Sequence, residues 1–296
     1  MTCQTQKILR RYIFQLCMVI WKQRKRLFER GALLDKASKD CSTPMILAAF
    51  SGRLEVFRYL TKIGADINIR DVQSNISLHY AAISGIVEII KILLDKGVSV
   101  DLTNRYDSTP LHVSATYGNL EATTTLVERG SPLDRSDKDG YTPLLLAARQ
   151  GKLEVFHYLT ETGSDINIRD VQSNTSLHFA AQSGSVEIIK ILLDKGMSVD
   201  LTNTHGRTPL HVSAKCGNLE ATKTLVERGT PFDKADKDGD TPLLLTARYS
   251  KLEVFRYLTE IGADINLRDV HSNTALHCAA FSGSVEIIKI LLDKGM

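Results

Sequence analysis

The 296-residue chain has little cysteine and no C-x-x-C pair. Its five cysteines are an odd number and lie scattered along the chain: Cys3, Cys17, Cys41, Cys216 and Cys278. This distribution argues against a disulfide framework and against a zinc site, and it favours a reducing compartment. The cysteine content therefore predicts a cytoplasmic protein.

Long apolar runs are lacking as well. The apolar run of the N-terminal segment, Tyr12 to Trp21, has ten residues, which are too few to span a bilayer. It is followed by the basic run KQRKR (22–26), where a secretory signal would have a small-residue cleavage site. We therefore expect no membrane span and interpret the basic run as an exposed helix face. A nuclear-import signal at 22–26 and an organelle transit peptide are the alternatives.

An excess of positive charge is absent outside the N-terminus. The net charge of +3 arises because residues 1–30 hold eight Lys or Arg and one acidic residue. The other 266 residues hold 29 Lys or Arg and 33 Asp or Glu, a net charge of −4. A body of this charge does not offer the basic surface that nucleic acids require, so we expect no nucleic-acid partner.

Catalytic signatures are missing too. The sequence contains none of the patterns G-x-x-x-x-G-K-[ST], G-x-G-x-x-G, H-E-x-x-H and G-x-S-x-G. We therefore predict a protein that is not an enzyme, with no catalytic residues, no cofactor and no metal site.

Glycine, in contrast, is placed with strict regularity. Nine glycines follow one another at intervals of 33 residues, from Gly31 to Gly295. Seven more share this period from Gly52 to Gly283, with Ser250 filling the one gap, and the last three precede Thr-Pro by two residues. All 19 glycines of the chain belong to these sets, so the chain is built from internal repeats.

The sequence between the glycines is helical. In the segment 184–196, Val186, Ile189 and Leu192 form one apolar face, and Gly196 suits the left-handed residue that ends a helix. A shorter helix precedes it and starts with Thr as N-cap and Pro at the first position in several units, as in Thr109-Pro110. Each unit is therefore a helix, a tight turn, a second helix and an extended loop.

These units resemble the ankyrin repeat. The strings Thr109-Pro110-Leu111-His112 and Thr208-Pro209-Leu210-His211 match its hallmark, and GADIN (64–68) matches its second signature. The resemblance implies an all-α ankyrin-repeat solenoid of stacked helix-turn-helix units with β-hairpin loops. It covers eight units, which we place at 38–70, 71–103, 104–136, 137–169, 170–202, 203–235, 236–268 and 269–296.

The units come in three alternating types, which gives a super-repeat of 99 residues. Residues 71–103 and 170–202 differ at only five of 33 positions, which implies duplication of a block of three units. The segment LFERGALLDKASKD (27–40) aligns with LVERGSPLDRSDKD (126–139). We therefore interpret residues 1–37 as a basic, degenerate N-terminal repeat that caps the stack.

Histidine recurs at one position of the unit: His79, His112, His178, His211 and His277. These residues do not form a catalytic or metal-binding set, because each has the same copied neighbours and no second ligand at i+3 or i+4. The resemblance implies that they make structural hydrogen bonds around the Thr that starts the helix. Ile46, Leu145 and Leu244 replace them in one unit type, where we expect apolar packing instead.

Function is expected at the positions that vary between units. In ankyrin arrays these are the hairpin tips and the ends of the first helices, which line a concave face. Tyr and Arg are enriched at binding hot spots, so we predict partner binding by Tyr106, Tyr117, Tyr141, Arg149, Arg207, Arg248 and Tyr249. The predicted function is a monomeric scaffold that binds one or more proteins. The alternative is the recognition region of a larger protein such as a ubiquitin-ligase subunit, a channel or a kinase.

Two further groups of loop residues carry expectations. Asn68, Asn167 and Asn266 end the string L-x5-D-I-N, which resembles the target of the oxygenase that hydroxylates ankyrin asparagines. Their alternative role is hydrogen bonding across the hairpin. Asp134 and Asp137 are expected to be solvated loop charges that favour helix initiation.

Overall fold

The computed structural model describes residues 35–39 and 42–295, and this part of the chain forms sixteen α-helices and no strand. The helices are α1 (Pro44–Phe50), α2 (Leu54–Lys62), α3 (Ser77–Ser84), α4 (Val87–Asp95), α5 (Pro110–Tyr117), α6 (Leu120–Glu128), α7 (Pro143–Arg149), α8 (Leu153–Thr162), α9 (Ser176–Ser183), α10 (Val186–Asp194), α11 (Pro209–Cys216), α12 (Leu219–Glu227), α13 (Pro242–Arg248), α14 (Leu252–Glu260), α15 (Ala275–Ser282) and α16 (Val285–Asp293). They make eight consecutive pairs, which confirms the predicted all-α array. The interpretation of residues 1–37 as a cap concerns residues that lie, apart from 35–37, outside this described part.

The first helix α5 starts and ends as its sequence predicts. In α5, the hydroxyl of the N-cap residue Thr109 accepts a hydrogen bond from the backbone N–H of His112 at 3.4 Å, and Pro110 occupies the first turn. The helix ends at Gly118, whose φ of +77° is a left-handed conformation that favours glycine. This geometry turns the chain sharply into the second helix.

The pairs stack in sequence order. First helices of neighbouring units pack against each other more extensively than second helices do. Three buried apolar clusters follow one another along the stack. Phe57, Phe156 and Phe255 are fully buried at equivalent positions of every third unit. Because a single unit cannot bury its apolar face alone, stability comes from this stacking.

The loops are tight turns that link adjacent units through their tips, the loop residues just before each first helix. In the loop before α7, the N–H of Asp137 donates to the carbonyl of Tyr141 at 2.9 Å, and the N–H of Lys138 donates to the carbonyl of Tyr106 in the preceding tip at 3.1 Å. The same tip-to-tip bond joins Arg105 to Gln73 at 2.9 Å. The tips therefore form a continuous row along the stack.

The expectation that Asp137 is a solvated charge is wrong. Its carboxylate is half-buried and accepts the N–H groups of Asp139 at 3.0 Å and Tyr141 at 2.9 Å. Burial raises the pKa of Asp137, although these hydrogen bonds act in the opposite direction. Asp134 is exposed, but it accepts the N–H of Asp165 in the following unit at 3.2 Å. Both acids therefore shape loops and join units.

The recurrent histidine is a structural link between units. In His112, Nδ1 accepts the N–H of Thr109 at 3.1 Å, so Nε2 carries the proton and donates to the carbonyl of Tyr141 in the next tip at 3.1 Å. His79, His178 and His211 make the same contacts with the carbonyls of Ser108, Arg207 and Asp240. Burial lowers the pKa of these four histidines to about 4. The predicted structural role is confirmed, and the link fixes the backbone of three variable tip positions.

Apolar side chains occupy this position in the other unit type, as expected. Ile46, Leu145 and Leu244 are buried at the starts of α1, α7 and α13. Their helices keep the threonine cap: the N–H of Leu145 donates to the Thr142 hydroxyl at 3.3 Å. These units therefore have the cap of the histidine-bearing units and apolar packing in place of the link.

Candidate partner-binding groove

The tips and the last turns of the first helices form one surface, which we call the groove. The guanidinium of Arg149, in the last turn of α7, lies 4.9 Å from the ring centroid of Tyr141, a tip residue. The guanidinium of Arg248, in the last turn of α13, contacts the carboxylate of the tip residue Asp240 at 2.5 Å. Side chains from the helix ends therefore reach the tips, and the two sets of variable positions are continuous.

The groove holds exposed aromatic side chains over the unit 104–136. Tyr106 is 47% exposed at the tip, and Tyr117 is 55% exposed at the end of α5. The guanidinium of Arg105 lies 5.1 Å from the ring centroid of Tyr106, a cation–π contact at an exposed site. This part of the groove therefore presents aromatic rings together with hydrogen-bond donors.

Aromatic contacts continue on both sides of that unit. The rings of Tyr141 and Phe179, which belongs to the next unit, make an edge-to-face contact with centroids 5.5 Å apart. The guanidinium of Arg149 lies over the Tyr141 ring. On the other side Phe50 and Tyr80 make an edge-to-face contact at 5.7 Å. Partial burial raises the pKa of the Tyr141 hydroxyl, and the neighbouring Arg149 opposes the shift. The groove from α1 to α9 is thus mainly aromatic.

In the units 203–235 and 236–268 the groove instead contains arginines that form ion pairs with acids of the chain. Arg248 contacts Asp240 at 2.5 Å and Asp269 at 2.9 Å, and the side chains of these two acids are only 5% and 1% exposed. Arg207 contacts the buried carboxylate of Asp236 at 2.7 Å. Arg207 and Arg248, two of the seven predicted binding residues, therefore form ion pairs with acids of the chain itself.

The two acids bound by Arg248 respond differently to burial. Burial alone would raise the pKa of Asp269, but hydrogen bonds from Asn273, Arg248 and the N–H of His271 lower it to about 2. Burial raises the pKa of Asp240, and the contact with Arg248 opposes this shift without reversing it. The difference follows from the number of donors, because Asp269 accepts backbone N–H groups that Asp240 lacks.

Tyr249 completes the set of predicted residues. It follows α13 directly and is 42% exposed, and the ammonium group of Lys215 lies 5.0 Å from its ring centroid. The structure thus brings Tyr141 and Arg149 together and leaves Tyr106, Tyr117 and Tyr249 exposed. That these side chains bind a partner stays a prediction.

The acidic partners of the groove arginines were missed by the sequence reasoning. Arg207 pairs with Asp236, 29 residues later, and Arg248 pairs with Asp269, 21 residues later; each of these acids opens the loop that follows its arginine. An acid or Asn recurs at this loop position in every unit from Asp71 onwards. That regularity is the signal from which buried acids beside the groove could have been found.

The three asparagines expected as hydroxylation targets are exposed in their loops. The side chains of Asn167 and Asn266 each donate to the carboxylate two residues earlier at 3.2 Å. Asn68 makes its hydrogen bond to Asp66 through the backbone N–H, at 2.8 Å. These bonds lie within one loop rather than across the hairpin, and hydroxylation stays a prediction.

Within residues 35–39 and 42–295, no helix is long and apolar enough to cross a membrane. In the same residues no three His, Cys, Asp or Glu side chains lie together in a way that would hold a metal ion.

Family models for ankyrin repeats match most of the chain. A model of three consecutive ankyrin repeats matches residues 78–170, 162–235 and 228–296, and a model of the single ankyrin repeat matches residues 40–72. Among solved structures, the crystal structure of the human ASB11 ankyrin repeat domain is similar, with a TM-score of 0.65 and 29% sequence identity. The similarity covers 72% of this chain and 96% of that one. No curated protein matches the sequence.

Proposed function

The chain belongs to the ankyrin repeat family, whose members are in general protein–protein interaction modules, and on this basis we propose that it is a non-catalytic scaffold that binds a partner protein through the groove. The proposal includes a monomeric array that works in the cytoplasm, with the cap at 1–37 and the binding array at 38–296.

One observation carries this proposal. Tyr106, Tyr117 and Tyr249 expose about half of their surface along a single face, whereas the large side chains at scaffold positions, such as Phe156 and Phe255, are fully buried. Exposed aromatic residues that cluster on one face of a folded protein mark interaction surfaces. Tyrosine is also among the residues that contribute most when an interface forms.

The test replaces three groove residues together. We expect the variant Tyr117→Ala, Arg149→Ala, Tyr249→Ala to lose a partner that the wild-type protein captures from cell extract, because it removes two exposed rings and a guanidinium. The measurement is affinity purification followed by mass spectrometry, with helical circular dichroism to show that the fold is kept.

A matched control changes the same residue types on the outer side of the stack. Tyr158→Ala, Tyr257→Ala and Arg129→Ala together remove two tyrosines and one arginine from the second helices and their ends. This outer variant should capture the partner as the wild type does. Equal capture by the groove variant and the wild type would show that the partner binds elsewhere.

A further inference from the structure

Arg149 and Arg248 occupy the same position of two units that lie 99 residues apart. In the unit 236–268 the guanidinium of Arg248 binds two carboxylates, from Asp240 at 2.5 Å and Asp269 at 2.9 Å. The chain itself thus shows which ligand a guanidinium at this position takes when one is within reach: a carboxylate placed at the tip beside it.

In the unit 137–169 this carboxylate at the tip is missing. Tyr141 stands where the other unit has Asp240, and Arg149 lies over its ring at 4.9 Å. The acid equivalent to Asp269 is Asp170, whose carboxylate oxygens accept the N–H groups of Gln172 and Asn174 and the amide of Asn174, at 2.7 to 2.9 Å. Within the described part of the chain no carboxylate lies within 4.0 Å of the Arg149 guanidinium.

A guanidinium stacked on an aromatic ring keeps its edge free. Its N–H donors lie in the plane of the group and point away from it, so a stacked arginine still presents the fork that matches a carboxylate. Arg105 is in the same state one unit earlier: it lies 5.1 Å from the ring centroid of Tyr106, is exposed, and pairs with no carboxylate of the described residues. The groove therefore holds two guanidinium groups that lie over tyrosine rings and have no carboxylate partner among the described residues.

Two cations on the outer side of the stack, where the second helices lie, differ from Arg105 and Arg149 because they form ion pairs. Arg129 pairs with Asp95 at 2.8 Å and Lys195 pairs with Glu161 at 3.1 Å, each across neighbouring second helices. These two outer cations thus pair with an acid of the preceding unit, whereas Arg105 and Arg149 in the groove lie over tyrosine rings. The tip acids Asp107 and Asp139 lie nearby in sequence, yet neither forms an ion pair with Arg105 or Arg149.

We propose that the partner presents an acidic segment to units 104–169, with one carboxylate bound by Arg149 at the side where Asp240 lies in the other unit and a second bound by Arg105. This inference rests on the proposed function, since it names the chemistry of the partner for the same groove. Tyr106, Tyr117 and Tyr141 pack against the segment between the two carboxylates. Arg207 and Arg248 take no part, because their carboxylates come from the chain.

The first test uses hexaglutamate as probe and hexaglutamine as its neutral match. The NMR signals of the arginine Nε–Hε groups are followed as each peptide is added to the full chain in low-salt buffer. Hexaglutamate should shift the signals of Arg149 and Arg105 in a saturable way and leave those of Arg248 and Arg129 in place. Hexaglutamine should shift none of them. A common shift of all exposed arginines, or none at Arg149, would overturn the proposal.

The second test exchanges the two tips. Tyr141→Asp supplies Arg149 with the internal carboxylate that Arg248 has, so the Arg149 response should disappear and hexaglutamate should bind about tenfold more weakly, the effect of one charge-assisted hydrogen-bonded pair. Asp240→Tyr should make Arg248 respond to the peptide. An Arg149 response that persists in Tyr141→Asp would count against the assignment.

Two further variants keep the exchange interpretable. Arg149→Gln removes the guanidinium without introducing a new charge, so it should weaken hexaglutamate binding to the same extent as Tyr141→Asp. This variant tests Arg149 independently of whether Tyr141→Asp folds. Arg149→Lys retains the charge but not the planar fork, and should restore only part of the affinity. Full affinity in both variants would exclude Arg149 as the binding group.

The outcomes also separate this inference from the proposed function. If the groove variant Tyr117→Ala, Arg149→Ala, Tyr249→Ala loses its captured partner while hexaglutamate binds wild type and Arg149→Gln equally, the groove binds a protein by other chemistry and only the acidic-segment inference fails. If capture is unchanged while hexaglutamate binding depends on Arg149, the proposed route of partner binding fails instead.

Discussion

The units 137–169 and 236–268 differ at eight of 33 positions, yet their groove surfaces are opposite in character. Their scaffolds coincide: the N-cap bonds of Thr142 and Thr241 are both 3.3 Å long, and Phe156 and Phe255 are both fully buried. Their tips do not. In the unit 137–169 the tip residue is Tyr141, and Arg149 lies over its ring without an acid partner among the described residues. In the unit 236–268 the tip residue is Asp240, which forms an ion pair with Arg248.

The comparison shows how a duplicated array changes its surface while it keeps its scaffold. Residues that hold neighbouring units together are kept in both copies, whereas the tip residue differs, and the arginine pairs with an acid of the chain in one copy and lies over a tyrosine ring in the other. Tyr141 and Asp240 make this difference while the backbone carbonyl of each is bound by a histidine of the preceding unit, at 3.1 and 3.2 Å. The scaffold link and the variable side chain thus belong to the same residue.

The largest expected effect comes from breaking what both copies share. The pKa of His79, His112, His178 and His211 is lowered by burial from 6.5 to about 4, so they are neutral in the folded chain at neutral pH. Below pH 6.5 the unfolded chain binds protons that the folded chain does not, so stability is retained above this pH and lost as the pH falls toward 4. At pH 5 the loss is about 2 kcal/mol per histidine.

Urea unfolding followed by circular dichroism at pH 7.5 and pH 5 measures this loss. His112→Leu provides the control, because leucine occupies the same position in the units that lack the link, as Leu145 does. This variant should show a smaller difference between the two pH values than the wild type. Equal urea midpoints at pH 7.5 and pH 5 in the wild type would contradict the assignment of buried neutral histidines.

An intermediate effect is expected from removing the two arginines separately. Arg248→Gln leaves Asp240 and Asp269 buried without their cation, and losing one partner of a buried ion pair costs about 3 kcal/mol. Arg149→Gln removes only a partly exposed cation–π contact and should cost less than about 1 kcal/mol. Urea midpoints at pH 7.5 compare the two variants directly.

The double variant Arg248→Gln, Asp240→Tyr sharpens the same comparison. It removes Asp240, one of the two buried acids, together with the cation, while Asp269 keeps its hydrogen bonds from His271 and Asn273, so the variant should recover part of the stability lost in Arg248→Gln alone. Losses of equal size in Arg149→Gln and Arg248→Gln would mean that the two units do not differ in the way their contacts indicate.

The sequence was sufficient for the array because its signals are local and repeated. Thr-Pro at 109–110 and glycine at 118 fix the start and end of a helix within a few residues, and the 33-residue period then gives the positions of all the remaining units. The role of the histidine followed from the family resemblance and is confirmed by its bonds to the next tip.

The groove could not be predicted to the same degree. Arg149 and Arg248 stand at equivalent positions, and only distances reveal that one is stacked and the other paired with acids 8 and 21 residues away. Asp137 shows the same limit: its position in a polar loop suggested solvation, but backbone N–H groups surround its carboxylate. Side-chain pairing depends on packing between units, which no local pattern contains.

The smallest effect is expected at the turn between the paired helices, where the two units differ by Gly151 and Ser250. Gly151 has a φ of +62° and Ser250 a φ of +55°, so the serine holds a left-handed conformation that costs an L-residue about 1 kcal/mol. A Cβ at Gly151 would lie 2.6 Å from the hydroxyl of Ser185, whereas the Ser250 hydroxyl is already hydrogen-bonded to the equivalent Ser284.

The reciprocal exchange should therefore have opposite signs in the two units. Gly151→Ser is expected to lower stability by about 1 kcal/mol, since the new side chain must both adopt the left-handed conformation and displace a hydroxyl. Ser250→Gly should raise it by roughly 0.5 kcal/mol, because relief of the backbone outweighs the loss of an exposed hydroxyl contact. Urea midpoints resolve both changes. A lower midpoint for Ser250→Gly would show that the hydroxyl contact with Ser284, rather than the backbone, determines stability at this turn.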